Sequence, residues 1–133
     1  MPLSYDIVTP ERRVENGACD EVRAPGVQGS FGIRSGHASF LTQLQPGTLV
    51  VVVGGREELF AVTGGFLQIE RDKVLVLADA AERRDEIDVA RARRALEEAN
   101  SRLRAMSSDL DPNYPVEAAR VRRAAARLSV VGS

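Results

Sequence analysis

Tryptophan is absent from the 133-residue chain, and cysteine, histidine and lysine occur once each, as Cys19, His37 and Lys73. A lone cysteine excludes an internal disulfide, and a lone histidine makes a His-based metal site improbable. No Ser-His-Asp or Cys-His set can be assembled, so the inventory argues against an enzyme. A dominant charge is missing too: 18 basic and 19 acidic side chains leave −1, with no global field to hold nucleic acid or an anionic membrane. No apolar run approaches the roughly 20 residues of a bilayer-spanning helix. The opening Met1-Pro2-Leu3-Ser4-Tyr5-Asp6 has neither the basic start nor the apolar stretch of a secretory signal. The length suits one domain, or one domain with a small appendage, and the inventory suits a cytoplasmic protein.

What is present is divided. Residues 1–86 carry 9 basic against 13 acidic side chains, and residues 87–133 carry 9 against 6, so the two parts stand at −4 and +3. Ten of the eleven glycines and all four phenylalanines lie in the first part, while the second is built from Ala, Arg, Leu and Glu. The boundary falls near Arg83-Arg84-Asp85-Glu86, giving units over 1–84 and 85–133.

In the first part, short runs of Val, Ile, Leu and Phe recur at close intervals, each bounded by Gly, Pro or a charge pair. Gly54-Gly55 and Arg71-Asp72 read as tight hairpin turns between such runs. Spacing this short predicts antiparallel neighbours in a small sandwich or barrel. From Ile87 the period changes to 3.6. Leu96, Ala99, Leu103, Met106 and Leu110 form one narrow seam, and Val121, Ala124, Leu128 and Val131 form another. Asp85 reads as the N-cap of the first helix, with Asp88 three residues later as a relative of the capping box. Asp111-Pro112-Asn113-Tyr114-Pro115 breaks the pattern, and Pro115 suits the first turn of a second helix. Two helices with Ala-rich seams bury little surface, so the pair should dock on the strands and should be able to undock.

The motifs that remain resemble those of one family. Gly29-Ser30-Phe31-Gly32-Ile33-Arg34-Ser35-Gly36-His37-Ala38, Gly64-Gly65-Phe66-Leu67-Gln68-Ile69, Ala80-Ala81-Glu82-Arg83, Ile87-Asp88-Val89-Ala90-Arg91-Ala92 and Arg127-Leu128-Ser129-Val130 are similar, in order and separation, to motifs of F-type ATP synthase epsilon subunits. The resemblance spans the chain and implies an α+β fold, an antiparallel β-sandwich of about ten strands followed by a two-helix antiparallel hairpin. It implies a non-catalytic rotor subunit that couples a proton-translocating complex and restrains ATP hydrolysis through the helical arm. The implied partners are the gamma subunit, the c-subunit ring and the alpha/beta catalytic head. The implied place is peripheral, on the cytoplasmic face of the bacterial inner membrane, with no direct membrane insertion.

Residue by residue, Gly29, Gly32 and Gly36 have neither P-loop nor dinucleotide spacing and read most simply as turn glycines. The resemblance places them, with His37, at the stalk contact. Asp88 and Arg91 read as a cap with an intrahelical ion pair. The resemblance implies instead a regulatory ATP held by Glu82, Ile87, Asp88, Arg91, Ala92, Arg123 and Arg127, no cofactor being required. Arginine forks suit phosphate oxygens, and carboxylates suit the adenine amino group or ribose hydroxyls. A position that is basic in some nucleotide-binding relatives is Glu98 here. Arg120, Arg122, Arg123 and Arg127 form a basic stripe with only Glu117 nearby, and ATP or an acidic segment of a catalytic beta subunit would compete for it. A free-standing nucleotide sensor is the rival reading. It would bind ATP tightly and ignore the catalytic head, whereas a stalk subunit would co-purify with it.

Overall fold

The computed structural model describes residues 2–132. Ten strands come first: β1 (Leu3–Val8), β2 (Arg13–Cys19), β3 (Glu21–Gly26), β4 (Gly29–Arg34), β5 (Phe40–Leu44), β6 (Gly47–Val53), β7 (Arg56–Val62), β8 (Gly65–Glu70), β9 (Lys73–Ala78) and β10 (Ala81–Arg83). A single 3-10 turn (Arg84–Glu86) leads to α1 (Val89–Ala105) and α2 (Tyr114–Val131). The strand order is β10-β7-β6-β3-β5-β8-β9-β1-β2, with β4 on β3. Only the pair Gly26↔Leu44 joins β3 to β5, so the sheet folds there into two layers. One layer holds β10, β7, β6, β3 and β4, and the other holds β5, β8, β9, β1 and β2.

The period-2 pattern explains the core. Leu49 and Val51, Phe60 and Val62, Leu67 and Ile69, and Val74 and Val76 alternate inward and are buried in one cluster with Leu3, Ile7, Val22 and Ile33. Every pairing is antiparallel but one: β1 runs parallel to β9, with Ile7 opposite Val76. β1 and β9 lie far apart along the chain and need no tight turn between them, so the geometry that makes sequence neighbours antiparallel does not apply to this pair. The Gly54-Gly55 turn forms as expected, with φ of 57° and 79°. At Gly65 a side chain is excluded by space: a Cβ there would lie 2.1 Å from the Leu77 carbonyl oxygen, where β8 begins against β9.

The arm departs from the sequence reading at two points. Asp85 lies inside the 3-10 turn, and Ile87 is extended, so the N-cap of α1 is Asp88, whose Oδ1 accepts the Arg91 backbone N–H at 3.0 Å. Leu110 lies beyond the end of α1 and is 87% exposed. Ser108 Oγ accepts the Leu110 N–H and Asp111 Oδ1 accepts that of Asn113, so local side chains satisfy backbone that a longer helix would have used. Pro115 sits in the first turn of α2 as its fixed φ favours.

The hairpin docks through α2, which lies on the outer side of β6 and β7, while α1 packs on α2. This is why β7 loses its alternation at Phe60-Ala61-Val62: Phe60 and Val62 face the core, and Ala61 is buried from the other side with Ile87 and Val130. No described helix is long and apolar enough to cross a membrane.

Candidate functional site

Two surfaces gather the chemistry. The first is the joint between sandwich and arm, which opens into a cleft between the helices. Arg83 is placed by β10 beside β2, where its Nη2 donates to the Val14 carbonyl and contacts Glu15 Oε2 at 2.8 Å. Glu86 accepts from Arg12 Nη2 at 2.8 Å and from the Arg83 backbone N–H at 2.9 Å. The Arg12 bond is the larger cause and the Arg83 amide the second in holding the Glu86 carboxyl below the usual carboxylate range. One residue earlier on β10, Glu82 points to α2 and accepts from Arg127 Nε at 2.5 Å. Arg84 Nε donates to the Val130 carbonyl at 3.2 Å. The end of α2 is therefore held to the sandwich by an ion pair, a hydrogen bond and the Ala61–Ile87–Val130 contact.

Above that joint, Ala95, Glu98 and Arg102 of α1 face Arg120, Arg123, Ala124 and Arg127 of α2 across a cleft of about 330 Å³. Of the residues expected to hold a nucleotide, Glu82 and Arg127 are brought into contact and Arg123 lines the same cleft. The others serve the fold. Ile87 packs under α2, Ala92 is buried in α1, Asp88 caps α1, and Arg91 supplies the capped amide with its side chain in solvent. Arg120 also lines the cleft, whereas Arg122 is exposed and does not. Glu98 lies inside the arginine cluster, where its charge opposes an incoming phosphate.

Sequence reasoning noted Glu117 only as the acid beside the arginine stripe and missed its place between the helices. The residue is 6% exposed between the helices, its carboxylate 2.7 Å from Arg120 Nη1 and 3.5 Å from Arg102 Nη1. The signal was available in outline, because Glu117 precedes Arg120 by three residues on one helix face. Its burial follows from α1 lying alongside, which no local pattern reports.

The second surface runs from β4 and the β4–β5 loop onto the outer face of the other layer. Gly29 and Gly36 hold φ of 128° and 86°, with open space where a Cβ would go, so conformation rather than crowding asks for glycine there. Gly32 is different: it lies within β4 opposite Arg23, and a Cβ would meet a Glu21 carboxylate oxygen at 2.9 Å and Arg23 Cγ at 3.9 Å. The His37 ring lies 5.1 Å from that of Phe40, which meets Phe31 edge-on at 5.5 Å. With Gly29, Ala38 and Leu41 these rings line an open cleft of about 580 Å³. Leu41, at 66% exposure, continues it onto the outer face, where Phe66 and Leu77, directly paired across β8 and β9, are 49% and 48% exposed. The alternation of Gly65-Phe66-Leu67-Gln68-Ile69 announces this, since it sets Phe66 on the face opposite the core residues Leu67 and Ile69. No group of three or more potential metal ligands occurs among the described residues.

Comparison with known proteins agrees along the whole chain. Residues 2–84 match the family model for the beta-sandwich domain of the ATP synthase delta/epsilon chain, and residues 85–132 match that for its long alpha-helix domain. An ATP synthase epsilon chain of Anaeromyxobacter sp. (strain K) is 57% identical over 132 residues, covering 99% of each chain. Those of Myxococcus xanthus and Geobacter metallireducens are 47% and 41% identical, covering 98% of this chain and 96% and 94% of theirs. Among solved structures, a chain of the Euglena gracilis mitochondrial ATP synthase (OSCP/F1/c-ring) superposes with TM-score 0.83 at 19% identity, covering 99% of this chain and 82% of that one. A chain of the Tetrahymena thermophila mitochondrial central stalk and c-ring gives 0.64 at 15%, covering 98% and 97%. These two share the fold; the family rests on the sequence matches. A two-layer sandwich with a helical arm on one outer face, matched over its full length by both domain models, belongs to the ATP synthase delta/epsilon chain family.

Proposed function

We propose that the chain is a non-catalytic subunit of the rotating central stalk of a proton-translocating F-type ATP synthase. It sits peripherally on the cytoplasmic face of the bacterial inner membrane. The sandwich, residues 1–84, seats the subunit on the gamma subunit and the c-subunit ring, and the arm, residues 85–133, restrains ATP hydrolysis by the alpha/beta head. The observation that carries this is the asymmetry of the two outer faces. One is covered by α2, while the other leaves Leu41, Phe66 and Leu77 exposed beside the His37 cleft, an apolar surface of the kind that a protein partner covers.

The arm's cleft favours a regulatory role for the same reading. Arg102, Arg120, Arg123 and Arg127 converge there, and ATP or an acidic segment of the head would satisfy them. Ligand and partner would then each bias a pre-existing equilibrium between docked and extended arm. The test is reconstitution of a complex stripped of this subunit. The full chain restores coupling and lowers hydrolysis, a chain ending at Glu86 restores coupling alone, and Arg123→Glu with Arg127→Glu changes the inhibition. Failure of the full chain to rebind overturns the stalk assignment, and inhibition unaltered by the double charge reversal removes the arginines from the switch.

A further inference from the structure

Among the described residues, Arg71 and Asp72 are the non-glycine residues with φ in the left-handed region, at 51° and 60°. They form the two-residue turn of the β8–β9 hairpin, with nearly the backbone that Gly54-Gly55 adopts between β6 and β7. Turns of this kind favour Gly or Asn, because a Cβ crowds the carbonyl at positive φ. The chain uses glycine at one such turn and a strained pair at the other, which directs attention to what the second pair's side chains do.

Asp72 reaches across to the β4–β5 loop. Its Oδ1 accepts the Gly36 backbone N–H at 2.7 Å, and its Oδ2 accepts the Ser35 hydroxyl at 3.3 Å. Its own carbonyl accepts the Ser4 N–H at 2.9 Å, so the turn is itself anchored to β1. The loop closes on itself through His37 N–H to the Arg34 carbonyl at 3.2 Å. His37 then packs at a tilt against Phe40, and Phe40 meets Phe31 edge-on, the three rings together walling the open cleft. A chain of contacts thus runs from the Asp72 carboxylate to the aromatic cluster, and the carboxylate supplies charge-assisted bonds to the loop at Gly36 and Ser35.

We infer that Asp72 is a positioning residue: it holds residues 34–37 in place so that His37, Phe40 and Phe31 meet the stalk partner as a preordered surface. The inference rests on the proposed reading of this end of the sandwich as a partner contact. Preordering raises affinity because the loop's entropy is already spent before association. Replacing Asp72 by glycine separates the two consequences of the residue, since glycine relaxes the turn while removing the carboxylate. Asp72→Asn keeps an acceptor oxygen and tolerates the left-handed backbone.

The experiment measures three things for the wild-type chain, Asp72→Gly and Asp72→Asn: thermal midpoint, amide exchange at Gly36 in the free chain, and affinity for an ATP synthase complex stripped of this subunit. For Asp72→Gly the midpoint stays level or rises, Gly36 exchange accelerates by about tenfold or more, and affinity falls by about fivefold. Asp72→Asn stays within about twofold of wild type on exchange and affinity. Unchanged Gly36 exchange in Asp72→Gly overturns the inference, as does faster exchange with undiminished affinity. A wild-type chain that fails to bind the stripped complex refutes the stalk assignment instead, a result the Gly36 measurement in the free chain keeps distinct.

Discussion

Val130→Ala tests how the arm is held. Val130 is fully buried in a cluster of its own with Ala61 and Ile87, flanked by Leu59 and Val131 and separate from the sandwich core. The substitution removes two methyl groups, at about 0.8 kcal/mol each for transfer, and leaves a small cavity, for a total of about 1.5–2.5 kcal/mol. The backbone carbonyl that accepts from Arg84 is unaffected, and so is the Glu82–Arg127 pair, so the loss is one of packing. Because α1 packs on α2 and α2 alone makes the broad contact with β6 and β7, the whole arm should feel it. Amide exchange in α1 and α2 should accelerate by roughly 10- to 70-fold, the equivalent of that free energy, while amides of Val22, Leu49 and Ile69 in the sandwich keep their protection. Exchange measured residue by residue by NMR decides the matter. Equal acceleration in arm and sandwich would show one cooperative unit and refute the separate docking cluster. No acceleration in the arm would show that the ion pair and the Arg84 bond suffice without Val130.

Two further outcomes follow from individual residues. Gly65→Ala places a Cβ 2.1 Å from a backbone carbonyl that cannot swing aside, at φ 129°, so denaturant unfolding should show a loss of about 2 kcal/mol or more; a loss under about 0.5 kcal/mol would mean that β8 and β9 part easily. Cys19 is buried on β2, and burial first, then the Asp20 charge, pushes its thiol up to about 11, while burial and the charge of Glu15 push Tyr5 up to about 12. Both groups give up their protons at higher pH in the folded chain than in the unfolded one, so their contribution is complete below their ordinary values and is lost as pH rises from those through the raised ones. Stability should therefore fall between about pH 9 and 12, more shallowly in Cys19→Ala, and a thiol reagent at pH 8 should label the native chain far more slowly than the unfolded one.

What the sequence reveals of this molecule tracks whether the causes are local. Alternation in β6, β8 and β9 gives each strand and its buried face, because every second residue must find the core. The change of period near Ile87 gives the arm. Leu110 fails because a seam of apolar spacing says nothing about where Ser108 and Asp111 will satisfy the backbone instead. Asp85 fails by three residues because a 3-10 turn and an extended Ile87 intervene, and both Asp85 and Asp88 are suitable caps. Glu117 and Asp72 are out of reach for a different reason. Each takes its meaning from an element distant along the chain, α1 in one case and the β4–β5 loop in the other. The exposed pair Phe66 and Leu77 lies between these cases: the pattern sets Phe66 outward, but only the position of α2 on the opposite layer shows that no element among the described residues covers it.

The arm's charges are best understood together with its docking. Four arginines line or border the interhelical cleft, Arg102, Arg120, Arg123 and Arg127, and three carboxylates stand with them, Glu82, Glu98 and Glu117, so four positive against three negative charges leave +1. A polyanion entering the cleft therefore gains little from net charge and must gain from replacing internal partners. Arg127 is the residue where that replacement has structural consequences. Its partner Glu82 belongs to β10, so the same guanidinium that would grip an anion also ties α2 to the sandwich. An anion that displaces Glu82 removes a tether unless it bridges both helices itself, whereas one that leaves the pair intact adds to the docked state. Binding of such an anion would thus be coupled to docking through one ion pair, and whatever strengthens the docked arm would raise the affinity of a bridging anion only in proportion to the docked fraction.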